Sequence, residues 1–147
     1  MIRSILTRSQ SNQPSQSHKT IEVVADKGLI GDRYFHSGTP DDGATFIESE
    51  ALVSLKDETG IELSHDATGR NFLTHGIDLN ALVGTYFRCG SAVFYGSEPC
   101  DPCLTLERRT QSGVLKGLVN RGGLRARIVK SGAVSIGDDL TLLTDEH

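Results

Sequence analysis

The sequence contains no tryptophan, and aromatic residues make up only 5% of its 147 positions. Its apolar residues are mostly Val, Leu, Ile and Ala, and no run of them approaches the roughly 20 residues that cross a membrane as a helix. The first residues, Met1–Leu6, also lack the apolar stretch of roughly 7–15 residues that a signal peptide requires. The length suits one domain, residues 1–147, and we expect a soluble cytoplasmic protein with no membrane association.

An excess of positive charge is also missing. The chain has 15 Lys and Arg against 19 Asp and Glu, for a net charge of −4, which argues against a nucleic-acid partner. The charges are unevenly distributed, because residues 41–66 contain eight acids and one base, whereas residues 101–130 contain seven bases and two acids. Either these segments form two solvated faces of opposite sign, or the basic segment favours a small anionic ligand near the cysteines.

Only three cysteines are present, Cys89, Cys100 and Cys103. An odd number without a signal peptide argues against a disulfide framework, so we expect reduced thiols. The CxxC spacing of Cys100 and Cys103 is compatible with a zinc site, a redox disulfide or a single reactive thiol, and also with one buried and one exposed cysteine of no special role. We favour Cys103 as a reactive or metal-binding thiolate, because a helix opening after it would lower the pKa of its thiol.

Short segments rich in β-branched and aliphatic residues predict strands along most of the chain. A hairpin is predicted where Gly90 and Ser91 separate two such segments. The predicted strands are Ile2–Thr7, Thr20–Ala25, Ala44–Ile47, Thr85–Cys89, Ala92–Tyr95, Leu124–Val129 and Leu140–Leu143. We therefore expect a mainly β (α+β) fold, in the form of a β-barrel with a few short helices.

Two short helices and one polar loop complete the prediction. Ser49 is a suitable N-cap for a helix that ends at Gly60. The segment Gly113–Asn120 predicts a second helix, which the following glycines would end. Residues 9–18 are predicted to form a flexible polar loop, because they contain almost no apolar side chain.

The tripeptide Gly69-Arg70-Asn71 is a candidate binding motif. It combines a guanidinium with an amide that both donates and accepts hydrogen bonds, a set suited to a phosphate or a pterin-like ring. An ion pair between Arg70 and the acidic segment is the alternative interpretation.

Two other glycine-containing turns are weaker candidates. The segment Gly28–Arg33 resembles a phosphate loop only loosely, and the alternative is a tight turn in which Asp32 and Arg33 pair. In the segment Asn120–Gly123, backbone amides would either cradle an anion or simply end a helix.

The ordered set of these motifs resembles the MOSC domain family, which is named after the C-terminal domain of molybdenum cofactor sulfurase. The resemblance covers about residues 20–143, and it lies in the order of the motifs rather than in any one of them. The motifs are Gly28–Arg33, Gly69–Asn71, Gly76–Gly84, Pro99–Cys103, Arg121–Gly132 and Ile136–Asp138. A β-barrel fold is implied, in agreement with the strands predicted above.

The resemblance also implies a molybdenum cofactor, in which a pterin holds the metal. In the family, the key cysteine matches Cys103 and carries sulfur or ligates the metal, and members similar to the mitochondrial amidoxime reducing component reduce N-hydroxylated compounds. The implied cofactor-binding residues of this chain are Arg70, Asn71, Asp32, Arg33, Thr105, Arg121 and Gly122. Family descriptions attach pyridoxal phosphate as well, but no lysine of this sequence argues for it.

Two other functions stay open. The chain could be a sulfur carrier that holds a persulfide on Cys103, or an interaction module without a cofactor. The larger reductases of the family have an additional N-terminal β-rich domain, and 147 residues leave no room for it, so a partner or second subunit would complete the pocket. Besides a small-molecule cofactor or substrate, we therefore expect a redox or sulfur-donor protein as partner, and a disulfide between Cys100 and Cys103 as a possible mask of the reactive thiol.

Overall fold

Alternation of buried and exposed positions explains why the strands form where they do. In Leu124–Lys130, for example, Leu124, Ala126 and Ile128 are buried, whereas the arginines between them are partly exposed. The structure, a computed structural model, describes residues 1–10, 13–35, 40, 43–100, 113, 118 and 121–143. Its strands are β1 (Ile2–Thr7), β2 (Gln16–Ser17), β3 (Thr20–Val24), β4 (Gly28–Leu29), β5 (Ala44–Glu48), β6 (Phe72–Thr74), β7 (Tyr86–Cys89), β8 (Ala92–Pro99), β9 (Leu124–Lys130), β10 (Gly132–Ser135) and β11 (Leu140–Leu142).

The strands form two sheets. The larger sheet has the order β11-β7-β8-β9-β5-β6-β1-β2, and the smaller one has the order β10-β3-β4. All pairs are antiparallel except β5 with β6, and the large sheet curls into a half-barrel. Together with the short helices α1 (Ser49–Thr59) and α2 (His65–Thr68) and a 3-10 turn at Leu79–Leu82, this arrangement confirms the mainly β prediction.

The inner side of the curled sheet holds the main core, a cluster of 19 buried residues. At its centre, Phe46 of β5 stacks on Phe72 of β6 with ring centroids 4.8 Å apart. It also meets Phe87 and Phe94 of the β7–β8 hairpin edge-on, at 5.7 and 5.5 Å. These rings come from four different strands of the large sheet, so their contacts hold those strands together on the inner side.

A second, smaller cluster, the helix cluster, lies on the buried side of α1. It consists of Ala51 and Leu55 of α1 together with Ile61 and Leu118. None of the helices in the described part of the chain is long and apolar enough to span a membrane.

The predicted elements need several corrections. The short strands β2, β4, β6 and β10 were not predicted, and β8 extends to Pro99 instead of ending at Tyr95. The N-cap of α1 is Glu48 without a side-chain capping bond, and Ser49 is already the first helical residue, so the predicted Ser49 cap is wrong. The predicted end at Gly60 is confirmed, because Gly60 has the left-handed conformation (φ 77°) that commonly closes a helix. Within the predicted polar loop, Gln16–Ser17 pair with the end of β1. Of the predicted helix Gly113–Asn120, all but positions 113 and 118 lie outside the described residues.

Candidate functional site

Arg70 follows α2, and side chains of that helix hold its backbone on both sides. The N–H of Arg70 donates to Oγ1 of Thr68 (3.1 Å), and its carbonyl accepts a hydrogen bond from Nε2 of His65 (2.9 Å). Helix α2 is capped at its start by the Ser64 hydroxyl and ends at Gly69, whose φ of 73° suits glycine. The direction in which Arg70 leaves the helix is therefore fixed.

The guanidinium of Arg70 reaches across to the residue pair that precedes β9. Its Nε donates to the carbonyl of Gly122 (3.0 Å), and the side chain is half-buried. Within the described residues, Nη1 and Nη2 of Arg70 have no hydrogen-bond partner. Two nitrogens of a fork that suits phosphate and carboxylate groups thus remain as donors for a ligand.

Gly123 brings this stretch into contact with the main core and with the end of β8. Its φ is +115°, and a Cβ there would lie 2.1 Å from the carbonyl oxygen of Phe46. The Gly123 carbonyl accepts a hydrogen bond from the N–H of Cys100 (2.8 Å). Glycine is required at this position both by the backbone conformation and by the close approach to β5.

The three cysteines differ in what the structure says of them. Cys89 is completely buried in the main core, and burial raises the pKa of its thiol to about 12, so it is an unreactive core residue. Cys100, the first cysteine of the CxxC pair, is a buried thiol as well. The predicted metal ligand Cys103 and the predicted cofactor residue Thr105 lie outside the described residues.

Asn71 uses its side chain to join three strands. Its Oδ1 accepts hydrogen bonds from the N–H and the hydroxyl of Thr45 (3.2 and 3.1 Å), and its Nδ2 donates to the carbonyl of Leu6 (3.2 Å). The N–H of Asn71 donates in turn to the Thr45 hydroxyl (2.9 Å). Of the four hydrogen bonds that an asparagine amide can make, only one Nδ2 hydrogen is left for a ligand.

The predicted pair Asp32 and Arg33 lies in the turn after β4. The carboxylate of Asp32 accepts hydrogen bonds from the N–H groups of Arg8 (3.1 Å) and Tyr34 (3.3 Å), and the Arg33 guanidinium lies 4.7 Å above the Tyr34 ring. The side chain of Arg8 then forms an ion pair with Asp66 of α2 (2.7 Å). Through Arg8, this turn is connected to the helix that presents Arg70.

Arg121 is next to Gly122 in sequence, but its side chain is directed to α1. Its guanidinium binds both oxygens of the Glu58 carboxylate, at 2.6 and 3.2 Å. The pair is exposed, and the guanidinium lowers the pKa of Glu58 through the hydrogen bond and the attraction of its charge. Arg121 therefore links the pair Gly122–Gly123, called the glycine turn below, to the helix α1 that carries the helix cluster.

The structure brings some of the predicted site residues together and not others. Arg70 and Gly122 are in direct contact, Asn71 adjoins them in the chain, and Asp32 is connected to them through the Arg8–Asp66 pair. Arg121 directly precedes the glycine turn but points to Glu58. Among the described residues, no three His, Cys, Asp or Glu side chains come together as a metal-binding group.

Sequence reasoning missed His65, Thr68, Arg8 and Asp66, which hold the site residues in place. One signal was available, because Ser64 and Gly69 mark the start and end of a single helical turn directly before Arg70. Such a turn predicts that its own side chains lie close to the residue that follows. The contact between Arg8 and Asp66 joins residues 58 positions apart, and no local pattern indicates it.

A comparison with protein-family models identifies a match to the MOSC domain over residues 33–141. Among curated proteins, none matches the sequence. The matched range contains Arg70, Asn71, Cys103, Thr105, Arg121 and Gly122.

Several solved structures have the same fold. The YuaD protein from Bacillus subtilis has a TM-score of 0.84 at 14% identity, covering 99% of this chain and 96% of that one. YiiM from Geobacillus stearothermophilus has a TM-score of 0.75 at 18% identity, covering 97% of this chain and 75% of that one. YiiM from Escherichia coli has a TM-score of 0.74 at 21% identity, covering 99% of this chain and 70% of that one. At these identities the likeness concerns the fold alone.

Proposed function

Because this chain belongs to the MOSC domain family, we propose that it binds a molybdenum cofactor and provides the Cys103 thiolate as a ligand of the metal. The observation that carries the proposal is the contact of Arg70 with Gly122 beside the hydrogen bond between Cys100 and Gly123. The half-buried guanidinium of Arg70 thus contacts Gly122, and the adjacent Gly123 is hydrogen-bonded to Cys100, the first cysteine of the CxxC pair.

The residues fit the chemistry of such a cofactor. A pterin cofactor with a phosphate needs cationic and neutral donors, and Arg70 offers Nη1 and Nη2 beside the backbone of Gly122 and Gly123. The remaining Nδ2 hydrogen of Asn71 is a further donor. Arg33, Arg121, Asp32 and Thr105 belong to the same proposed set, with Arg121 contributing its charge once it leaves Glu58.

Covalent geometry keeps Cys103 within reach of this stretch. Cys103 is three residues from Cys100, so their Cα atoms are separated by at most about 11 Å in any conformation. Cys100 is buried and its N–H is bound to Gly123. This limit permits the position near Gly122 and Gly123 that the proposal requires of the Cys103 thiol.

A thiolate is a soft ligand of the kind that suits molybdenum bound to sulfur. When bound, the cofactor supplies two-electron redox chemistry with transfer of an oxygen atom, and the protein supplies binding and orientation. We propose N-hydroxylated compounds as the substrate class. Their reduction consumes two electrons and two protons and releases water, so a redox partner protein must deliver the electrons.

The first test is the molybdenum content of the protein, measured by elemental mass spectrometry after purification without oxygen from a host that makes the cofactor. We expect nearly one molybdenum per chain in the wild type, loss of the metal in Cys103→Ser and retention in Cys100→Ala. Equal loss in both variants would contradict the assignment of the ligand to Cys103.

A wild type without metal would redirect the proposal to the sulfur-carrier function. In that case the Cys103 peptide should gain one sulfur atom, removable with dithiothreitol, after incubation with a persulfide donor, whose outer sulfur passes to the Cys103 thiolate while the donor leaves as a thiol. Absence of both the metal and the added sulfur would contradict cofactor binding and sulfur carriage alike.

A further inference from the structure

We infer that His65 is a positioning residue for Arg70, because it holds the Arg70 carbonyl so that the guanidinium meets Gly122. The inference depends on the proposed function only for the identity of the ligand that Arg70 binds. The contact that His65 controls is within the described protein and exists without a cofactor.

The hydrogen bonds of His65 define which ring nitrogen carries the hydrogen in the neutral form. A carbonyl oxygen only accepts, so Nε2 of His65 must carry the hydrogen in its 2.9 Å bond to Arg70. In a neutral imidazole, Nδ1 is then the acceptor for the hydroxyl of Ser4 on β1, 2.8 Å away. Burial lowers the pKa of His65, which outweighs the opposing influence of the Arg70 carbonyl and Asp66, and it agrees with the neutral form.

The two ends of the imidazole serve different partners. Nδ1 bonds to Ser4 of β1, and Nε2 independently donates to the backbone carbonyl of Arg70. Thr68 accepts a hydrogen bond from the N–H of Arg70 at the same time, so the N–H and the carbonyl of Arg70 are both bonded to side chains of α2. Asp66 of α2 is the charged group that acts on the ring, and its carboxylate is ion-paired with Arg8.

Two substitutions of His65 test the roles of Nε2 and Nδ1 separately. In His65→Gln, the amide nitrogen reaches the position of Nε2 and keeps a donor for the Arg70 carbonyl. In His65→Asn, the shorter amide keeps a group near the position of Nδ1 and loses that donor. Ser4→Ala is the matched control, because it removes the partner of Nδ1 and leaves the Nε2 bond in place.

The readout is the Nε–H signal of Arg70 in ¹⁵N-edited NMR spectra of the cofactor-free protein, assigned by its absence in Arg70→Lys. We expect slow exchange with solvent in the wild type, in His65→Gln and in Ser4→Ala, and about tenfold faster exchange in His65→Asn. Exchange in His65→Asn as slow as in the wild type would overturn the inference. If His65→Asn does not fold, fast exchange in Ser4→Ala or in His65→Gln overturns it instead.

Molybdenum content of the same variants separates this inference from the proposed function. If both hold, His65→Asn retains less metal than His65→Gln. If no variant and no wild-type protein retains metal while the exchange rates differ as expected, the proposed function fails and the role of His65 stands.

Discussion

The main core and the helix cluster are held together in different ways. Among the described residues, the main core has 19 buried members enclosed by hydrogen-bonded strands, and the helix cluster has four. The helix cluster is bordered by exposed ion pairs, of which Arg121–Glu58 and Lys56–Glu62 are examples. Such surface ion pairs add little to stability, because water and salt screen their attraction.

The candidate site lies where these two regions meet. Gly123 rests against the Phe46 carbonyl of the main core, and Arg121, two residues before it, binds Glu58 of α1. Between them, Gly122 accepts the hydrogen bond of Arg70. If the helix cluster is the less stable region, residues at this junction can shift on ligand binding while the strands keep their register. The predictions below test whether the two regions differ in this way.

Phe46→Ala should have the largest effect. The ring of Phe46 is fully buried and contacts three other phenylalanines, so its removal leaves a cavity that the surrounding strands cannot fill. We expect a loss of about 4 kcal/mol in the free energy of unfolding, measured by urea denaturation followed by circular dichroism. Leu142→Ala, at an exposed position of β11, is the control and should change little. A loss below about 1 kcal/mol in Phe46→Ala would mean that the main core is not the rigid region.

Gly123→Ala tests the junction itself. The added Cβ would lie 2.1 Å from the Phe46 carbonyl, and the residue would have to keep a positive φ. We expect a loss of roughly 3 kcal/mol, of which the conformation accounts for about 1 and displacement of β5 for the rest. Gly60→Ala provides the matched control, since Gly60 also has a positive φ but no atom within 4 Å of an added Cβ, and about 1 kcal/mol is expected there. Similar losses in both variants would show that the close approach to β5 is unimportant.

Leu55→Ala probes the helix cluster. Leu55 is fully buried in the helix cluster, and its truncation removes fewer apolar atoms than Phe46→Ala does. We expect a loss of about 2 kcal/mol, against almost none for the exposed Val53→Ala on the same helix. Amide hydrogen exchange should accelerate in α1 and not in β7 or β8. Acceleration throughout the sheet would show that the two regions unfold as one.

The difference between the regions also explains what could be predicted from the sequence. Seven strands were predicted from alternation of side chains, which is local information, as in β9 with Leu124, Ala126 and Ile128, whereas the short strands β2, β4, β6 and β10 were missed. The Gly90–Ser91 hairpin and the helix end at Gly60 follow from turn chemistry in the same way. These features hardly depend on distant parts of the chain.

The candidate site could be predicted only as a set of residue types. That Arg70 meets Gly122 depends on the pairing of β5 with both β6 and β9, which no local pattern contains. The hydrogen bonds between Asn71 and Thr45 and between Arg121 and Glu58 also depend on this strand pairing. The roles of Cys103 and Thr105 stay predictions.

His65 should make the stability of the protein depend on pH, and substitution of His65 should remove that contribution. Burial holds the pKa of His65 below its usual range, whereas in the unfolded chain a histidine titrates near pH 6.5. Between the two values the unfolded chain binds more protons, so the contribution of His65 to stability is complete above about pH 6.5 and is lost as the pH falls through the folded-state pKa. The urea midpoint should fall less between pH 7.5 and pH 5.5 in His65→Gln than in the wild type. An equal fall in both proteins would contradict a buried, neutral His65.

Glu58→Gln should have the smallest effect on stability, although it removes an ion pair with two hydrogen bonds, of 2.6 and 3.2 Å. The carboxylate and the Arg121 guanidinium are both exposed to water and salt, which screen their attraction, and holding two long side chains together costs entropy. Because Arg121 lowers the pKa of Glu58, whatever the pair contributes is present at neutral pH and is lost as the pH falls through that lowered pKa. We expect an unfolding midpoint close to that of the wild type, and a still smaller difference in high salt. If Glu58→Gln instead costs as much as Leu55→Ala, the helix cluster is fastened to the glycine turn by the ion pair rather than by apolar contacts. Release of Arg121 toward an anionic ligand would then weaken the whole cluster.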